Sequence, residues 1–235
     1  MEQLIFELAT PEPPSFANFL PGPNREAVAA LRKFAAGEAA ETGLVLWGPT
    51  GVGKTHLLHA TADAAAGKRP VQYCADPTAL PVDAPLPATL VLVDDVDRAD
   101  AAMQGRLFTL YNNLKATGGS LIAAAALPPA RMPLRDDVRS RLGWGLVYEV
   151  LPLADEDKPL ALATYARSRG FALADDVVAY LLAHGRRDMT SLMATLAALD
   201  RHSLASKRPI TTPLLKEWLQ RGLGFSQAAP GDRPR

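Results

Sequence analysis

One stretch constrains this chain more than any other: Gly48-Pro49-Thr50-Gly51-Val52-Gly53-Lys54-Thr55. It matches G-x-x-x-x-G-K-[ST], the pattern of a phosphate-binding loop, at every fixed position. Background frequencies would produce such a match in roughly 1% of chains of this length. The surroundings narrow the reading further. The apolar run Leu44-Val45-Leu46-Trp47 precedes the loop, and the helical stretch His56-Leu57-Leu58-His59-Ala60 follows it. In a strand–loop–helix setting, glycines let backbone N–H groups converge on phosphate oxygens. The helix N-terminus adds its positive end. Lys54 is then expected to reach the β/γ-phosphates and Thr55 to ligate Mg²⁺. An ordinary glycine-rich turn has no use for Lys and Thr at these two positions.

A second acidic element supports that reading. Leu90-Val91-Leu92-Val93 is an apolar strand ending in Asp94-Asp95. Ligands of an open parallel sheet gather at the carboxyl ends of its strands. Asp94 is therefore expected beside the loop, holding Mg²⁺ or its water, and Asp95 is the candidate to position an attacking water. The alternative is a solvated turn in which Asp97 and Asp100 cap the next helix. His56 and His59, three apart on one helix, read as packing and polar contacts, because too few further ligands lie near them for a metal.

The rest of the chain gives the architecture. Pro11, Pro13, Pro14, Pro21 and Pro23 forbid a helix over the first 23 residues. Asn24 is expected to cap a helix over 25–36 that Gly37 ends. Strands are expected at 44–47, 71–74, 90–93, 120–125 and 146–150. Helices are expected at 54–66, 99–117 and 134–142 between them. After Pro152 only helical periods remain, at 156–169, 175–184, 188–205 and 213–221. The sequence thus predicts an α/β core with a five-stranded parallel sheet, followed by a small all-α domain. The expected boundaries are an extended tail 1–14, the core 15–151, the helical lid 152–222 and a flexible tail 223–235.

Charge and composition exclude other classes. Lys+Arg and Asp+Glu both number 25 in 235 residues. A neutral chain argues against coating nucleic acid or a membrane through a broad positive field. Its single cysteine, Cys74, excludes a disulfide framework and a Cys-based zinc site. The acidic N-terminus has no long apolar run, so no signal peptide is expected, and a cytoplasmic location is.

The motifs resemble those of a known family. Gly48–Ala60, GPTGVGKTHLLHA, is similar to the nucleotide loop of the bacterial replication initiator DnaA, an AAA+ protein. Ser140-Arg141-Leu142-Gly143-Trp144-Gly145 resembles that family's arginine-finger segment, and Phe16-Ala17-Asn18-Phe19 resembles the F-x-N-F stretch before its AAA+ module. The resemblance covers about residues 15–222. DnaA carries additional domains, including a helix-turn-helix for DNA, that find no match here. The remaining pattern is similar to the Hda family of short DnaA homologues, which inactivate the initiator. Asp155-Glu156-Asp157-Lys158 and Arg169-Gly170-Phe171 strengthen that likeness.

The resemblance implies an AAA+ core with a helical lid, bound to ADP or ATP with Mg²⁺ through Gly48, Pro49, Thr50, Gly51, Val52, Gly53, Lys54 and Thr55. It implies two partners. Gln3, Leu4, Phe6 and Leu8 resemble the peptide by which Hda proteins bind the sliding clamp, the β subunit of the replicative DNA polymerase. In an extended segment Leu4, Phe6 and Leu8 project to one side; the alternative is a short edge strand docking on its own domain. Arg141 would be the finger supplied in trans to ATP held by DnaA. Read from the residues alone, Arg141 also has Asp137 four positions earlier as an ion-pair partner. No direct sequence-specific DNA binding and no membrane association are implied, association with the nucleoid or replisome would come through the clamp, and self-association stays open. Two departures bear on catalysis. Ala123–Ala126 offers no polar sensor after the fourth strand, and Thr190 stands where the lid's sensor arginine is expected, with Arg186 and Arg187 nearby. Both imply weak self-hydrolysis. The competing readings are an autonomous AAA+ ATPase, such as a helicase loader or DNA-remodelling motor, and a small-molecule kinase.

Overall fold

The computed structural model describes residues 13–186 and 188–225. The chain divides into two units, one of Pro13–Ala154 and one beginning at Asp155.

The first unit alternates strands and helices: α1 (Arg25–Ala36), β1 (Gly43–Trp47), α2 (Lys54–Ala65), β2 (Val71–Cys74), β3 (Leu90–Val93), α3 (Ala101–Thr117), β4 (Ser120–Ala125), α4 (Asp136–Gly143) and β5 (Leu146–Glu149). The five strands form one parallel sheet in the order β2-β3-β4-β1-β5. β1, β3 and β4 lie inside it and are buried almost throughout, which is why they read as continuous apolar runs. Within those runs alternate residues serve different layers. Val45, Val91, Val93 and Leu121 pack with Leu107, Leu110 and Leu114 of α3. Leu44, Leu46, Leu92 and Ile122 pack with Leu31 and Phe34 of α1 and Leu57 and Leu58 of α2. The alanines of β4 favour helix in isolation. Pairing with β1 and β3 on both sides overrides that preference.

The topology places the site. β4 separates β1 from β3, so the ends of β1 and β3 open onto a common edge of the sheet, with Trp47 in register with Ala125. This is the edge where ligands of such sheets bind.

One local expectation fails. Asn24 stands directly before α1, yet its side chain makes no capping bond. Its amide instead donates to Leu151 O at 2.9 Å and accepts from Leu151 N–H at 2.8 Å. A buried amide that satisfies both a donor and an acceptor of one distant backbone residue outcompetes a single capping bond. The side chain thereby ties the start of α1 to the chain just after β5.

The second unit holds α5 (Lys158–Ser168), α6 (Asp175–His184), α7 (Met189–Ser206) and α8 (Thr212–Phe225). Leu192, Leu196 and Leu199 of α7 recur at helical spacing and bury against Leu162, Val178, Leu181, Leu214 and Leu215. Asp188 caps α7 through Ser191 N–H at 2.8 Å, which holds its carboxyl below the usual range. α8 runs four residues past its expected end at 221, into the stretch assigned to the tail. Leu214, Leu215 and the partly buried Trp218 and Leu219 anchor it. Among the described residues no helix is long and apolar enough to cross a membrane.

Candidate functional site

The phosphate loop leaves β1 and enters α2 through backbone that only glycine adopts freely. Gly48, Gly51 and Gly53 have φ of 149°, 85° and 103°. Space imposes the same choice. A Cβ on Gly48 would lie 2.6 Å from Val150 O, and one on Gly53 would lie 2.9 Å from the Phe19 ring. The loop folds around Lys54. Its Nζ donates to Gly48 O at 2.7 Å and Pro49 O at 2.8 Å, and the residue is only 9% exposed. Burial lowers the Lys54 pKa, while Asp94, Asp95 and Asp97 oppose the shift. The two carbonyl bonds hold the Lys54 side chain inside the loop.

The acidic strand end meets this loop. Thr55 Oγ1 donates to Asp94 Oδ2 at 2.6 Å, across 39 residues of sequence. Asp94 is buried, and its other oxygen accepts from Asp95 N–H at 3.0 Å. A hydroxyl and a carboxylate side by side are the donor set Mg²⁺ takes from protein, with its other positions left to water and phosphate. The residues fit the ion. Asp95 stands next to them in left-handed backbone, φ 47° and ψ 40°, with its carboxylate 3.1 Å from the Arg98 guanidinium. Asp100 caps α3 through Met103 N–H. Asp97, expected in a similar role, instead accepts from Ala126 N–H at 3.0 Å and so fixes the end of β4. That end carries no polar side chain: Ala123, Ala124 and Ala125 are buried.

Arg141 lies in the last turn of α4. Asp137 is not its partner, contrary to the local alternative, because that carboxylate pairs with Arg135 at 2.6 Å. Arg141 is held by α3 and by the turn before β5. Nε donates to Asn112 Oδ1 at 3.1 Å, and the guanidinium carbon sits 4.2 Å from the Trp144 ring centre and 4.7 Å from that of Phe108. Trp144 is 56% exposed. Among the described residues neither Nη of Arg141 has a hydrogen-bond partner, and no carboxylate pairs with it. Such a guanidinium is positioned through one nitrogen and two rings, with its fork left to bind something else. Asn112 and Phe108 were not singled out in the sequence. They lie four apart on α3, but nothing local links Asn112 to a residue 29 positions later, or Phe108 to one further still.

The two histidines behave as helix-face residues. His59 meets Tyr73 in a tilted ring contact with centroids 4.3 Å apart, and His56 meets Ser15 and Phe19. Gln3, Leu4, Phe6, Leu8 and Arg187 lie outside the described residues, as does the side chain of Thr190. Arg186 is exposed and pairs with Asp188 at 3.4 Å.

Comparison with known proteins decides the family. Residues 155–219 match the model of the Hda lid domain, and residues 12–75 match that of the bacterial DnaA ATPase domain. The chain is a Hda/DnaA-like AAA+ protein. The fold agrees. Domain III of the replication initiation protein DnaA from Thermotoga maritima superposes with a TM-score of 0.77 at 18% identity, covering 91% of this chain and 98% of that one. AMPPCP-bound DnaA from Aquifex aeolicus gives 0.67 at 20% identity, covering 83% and 66%. The RuvB Holliday junction branch migration motor of Thermotoga maritima gives 0.70 at 16% identity, covering 88% and 72%. The sheet and helices of Pro13–Ala154 are therefore an AAA+ core, and the helical unit after it is a lid of the Hda type.

Proposed function

We propose that this protein binds ADP or ATP with Mg²⁺ through Gly48–Thr55 and Asp94, and regulates replication initiation by acting on a partner's nucleotide. It supplies Arg141 in trans to ATP held by DnaA, converting the initiator to its ADP form, while Gln3, Leu4, Phe6 and Leu8 attach the chain to the sliding clamp. The carrying observation is the Arg141 site: a guanidinium braced by Asn112, Phe108 and Trp144, with its Nη fork unpaired among the described residues. A guanidinium placed on a γ-phosphate stabilises charge that develops in the transition state. AMPPCP in the Aquifex aeolicus DnaA structure supports an adenine nucleotide for this family.

The protein's own nucleotide is then structural. Lys54, Thr55 and Asp94 bind and orient it. Asp95 would position a water, but with Ala123–Ala125 at the neighbouring strand end no sensor side chain assists, so self-hydrolysis is slow.

The test is hydrolysis of DnaA-bound ATP with this protein added, with and without clamp loaded on DNA. Stimulation that requires loaded clamp supports the proposal, and no stimulation under either condition overturns it. Self-hydrolysis at several turnovers per second, within the ordinary enzyme range, would favour an autonomous motor. Lys54→Ala checks the loop itself: ADP affinity should fall about 10- to 100-fold by calorimetry, the value of a charge-assisted contact of roughly 1.5–3 kcal/mol.

A further inference from the structure

The stretch from Ser15 to Phe19 does more than precede the core. It is fastened at two points, one on the phosphate loop and one on the first turn of α2. Ser15 O accepts from His56 Nε2 at 3.0 Å, and since a carbonyl only accepts, that nitrogen carries the proton. The Phe19 ring lies 5.4 Å from the His56 ring and occupies the space a Cβ on Gly53 would need. Between these points the backbone closes on itself, with Ser15 N–H donating to Asn18 Oδ1 at 2.8 Å and Asn18 Nδ2 donating to Pro13 O at 3.0 Å.

Two features make this stretch responsive to the loop as well as a piece of packing. Gly53 and His56 bracket Lys54 and Thr55 in the chain, so the stretch touches the residues on either side of those that hold phosphate and metal. Phe16 and Phe19 are only partly buried, so the stretch can open without unfolding the core.

We infer that Ser15–Phe19 is a strap that closes on the loop when its phosphate site is occupied. The inference rests on the loop being a nucleotide site. Phosphates that fix Gly53 and the first turn of α2 give Phe19 and the Ser15 carbonyl a rigid surface, and the strap closes on it. The coupling is reciprocal: whatever holds the strap closed tightens nucleotide binding by the same factor.

Hydrogen exchange on the full chain, with and without saturating ADP and Mg²⁺, tests the strap. Amides of residues 15–19 should slow by about tenfold or more on ADP binding, the signature of a local opening that ligand suppresses. Phe19→Ala should weaken ADP binding about 5- to 10-fold by calorimetry, and Phe19→Leu should restore most of it, a range typical of linked sites. Protection of β3 and β4 amides should match wild type in both variants. His56→Gln, which leaves Phe19 in place, gives the same readout if Phe19→Ala fails to fold. ADP binding with unchanged exchange at 15–19 overturns the strap and leaves the loop intact, as does unchanged affinity in the Phe19 and His56 variants. Absence of ADP binding to the wild type overturns both.

Discussion

Two arginines, one in each unit, close a helix end in opposite ways. Arg169 follows α5 and is buried with Asp200, its Nε and Nη2 at 3.1 and 2.9 Å from one carboxylate oxygen, both side chains under 8% exposed. Arg141 in the last turn of α4 is half-buried, braced by an uncharged amide and two rings, with no carboxylate on it among the described residues. In the lid the guanidinium is spent on the fold. In the core it is positioned, and its charge is kept available. The two arginines differ both in burial and in what neutralises the guanidinium.

The largest test of that contrast is Arg169→Ala. It strands the Asp200 carboxylate in the lid interior and should destabilise the protein by about 3–5 kcal/mol in urea unfolding. Replacing the pair together, Arg169→Met with Asp200→Leu, should return stability to near wild type or above. If Arg169→Ala alone costs nothing, the buried pair is not what holds α5 to α7.

Arg141→Ala should do the reverse. Melting temperature, ADP affinity and clamp binding should stay near wild type, while stimulated hydrolysis of DnaA-bound ATP falls about 10- to 100-fold, less than the full effect of a GTPase arginine finger. Arg141→Lys should rescue poorly, because an ammonium lacks the planar fork. Unfolding of Arg141→Ala, or loss of its own ADP binding, would place this arginine with Arg169 as a structural residue.

The smallest effect sharpens the comparison. Asn112→Ala removes the one hydrogen bond that aims Arg141 while leaving the rings and the charge, so stimulation should fall about 3- to 10-fold, the value of roughly one hydrogen bond. Combined with Arg141→Ala it should add nothing, since the two act through one group. Additive losses in this cycle would mean that Asn112 has a contact of its own with the partner.

Much of this was legible in the sequence, for local reasons. The loop announced itself because its chemistry needs fixed types at fixed spacing within one turn. Buried parallel strands read as unbroken apolar runs, and α7 reads as a leucine stripe. One reading that failed was a local guess overruled from a distance. Asn24 looked like a cap until Leu151 offered it two bonds. The alternative that paired Arg141 with Asp137 lost to an equally local competitor, Arg135 two residues before that carboxylate.

Sequence by itself determined the alternation of strand and helix, the phosphate loop with its obligatory glycines and lysine, and the two-unit plan, because each depends on residues within one or two turns of each other. Only tertiary structure decided which side chains meet. β4 had to lie between β1 and β3 before Thr55 could reach Asp94, and α3 had to pack beside α4 before Asn112 could aim Arg141. Those contacts span 39 and 29 residues. No local pattern encodes them, because what selects the partner at that range is the burial of the whole sheet and the order in which its strands pair.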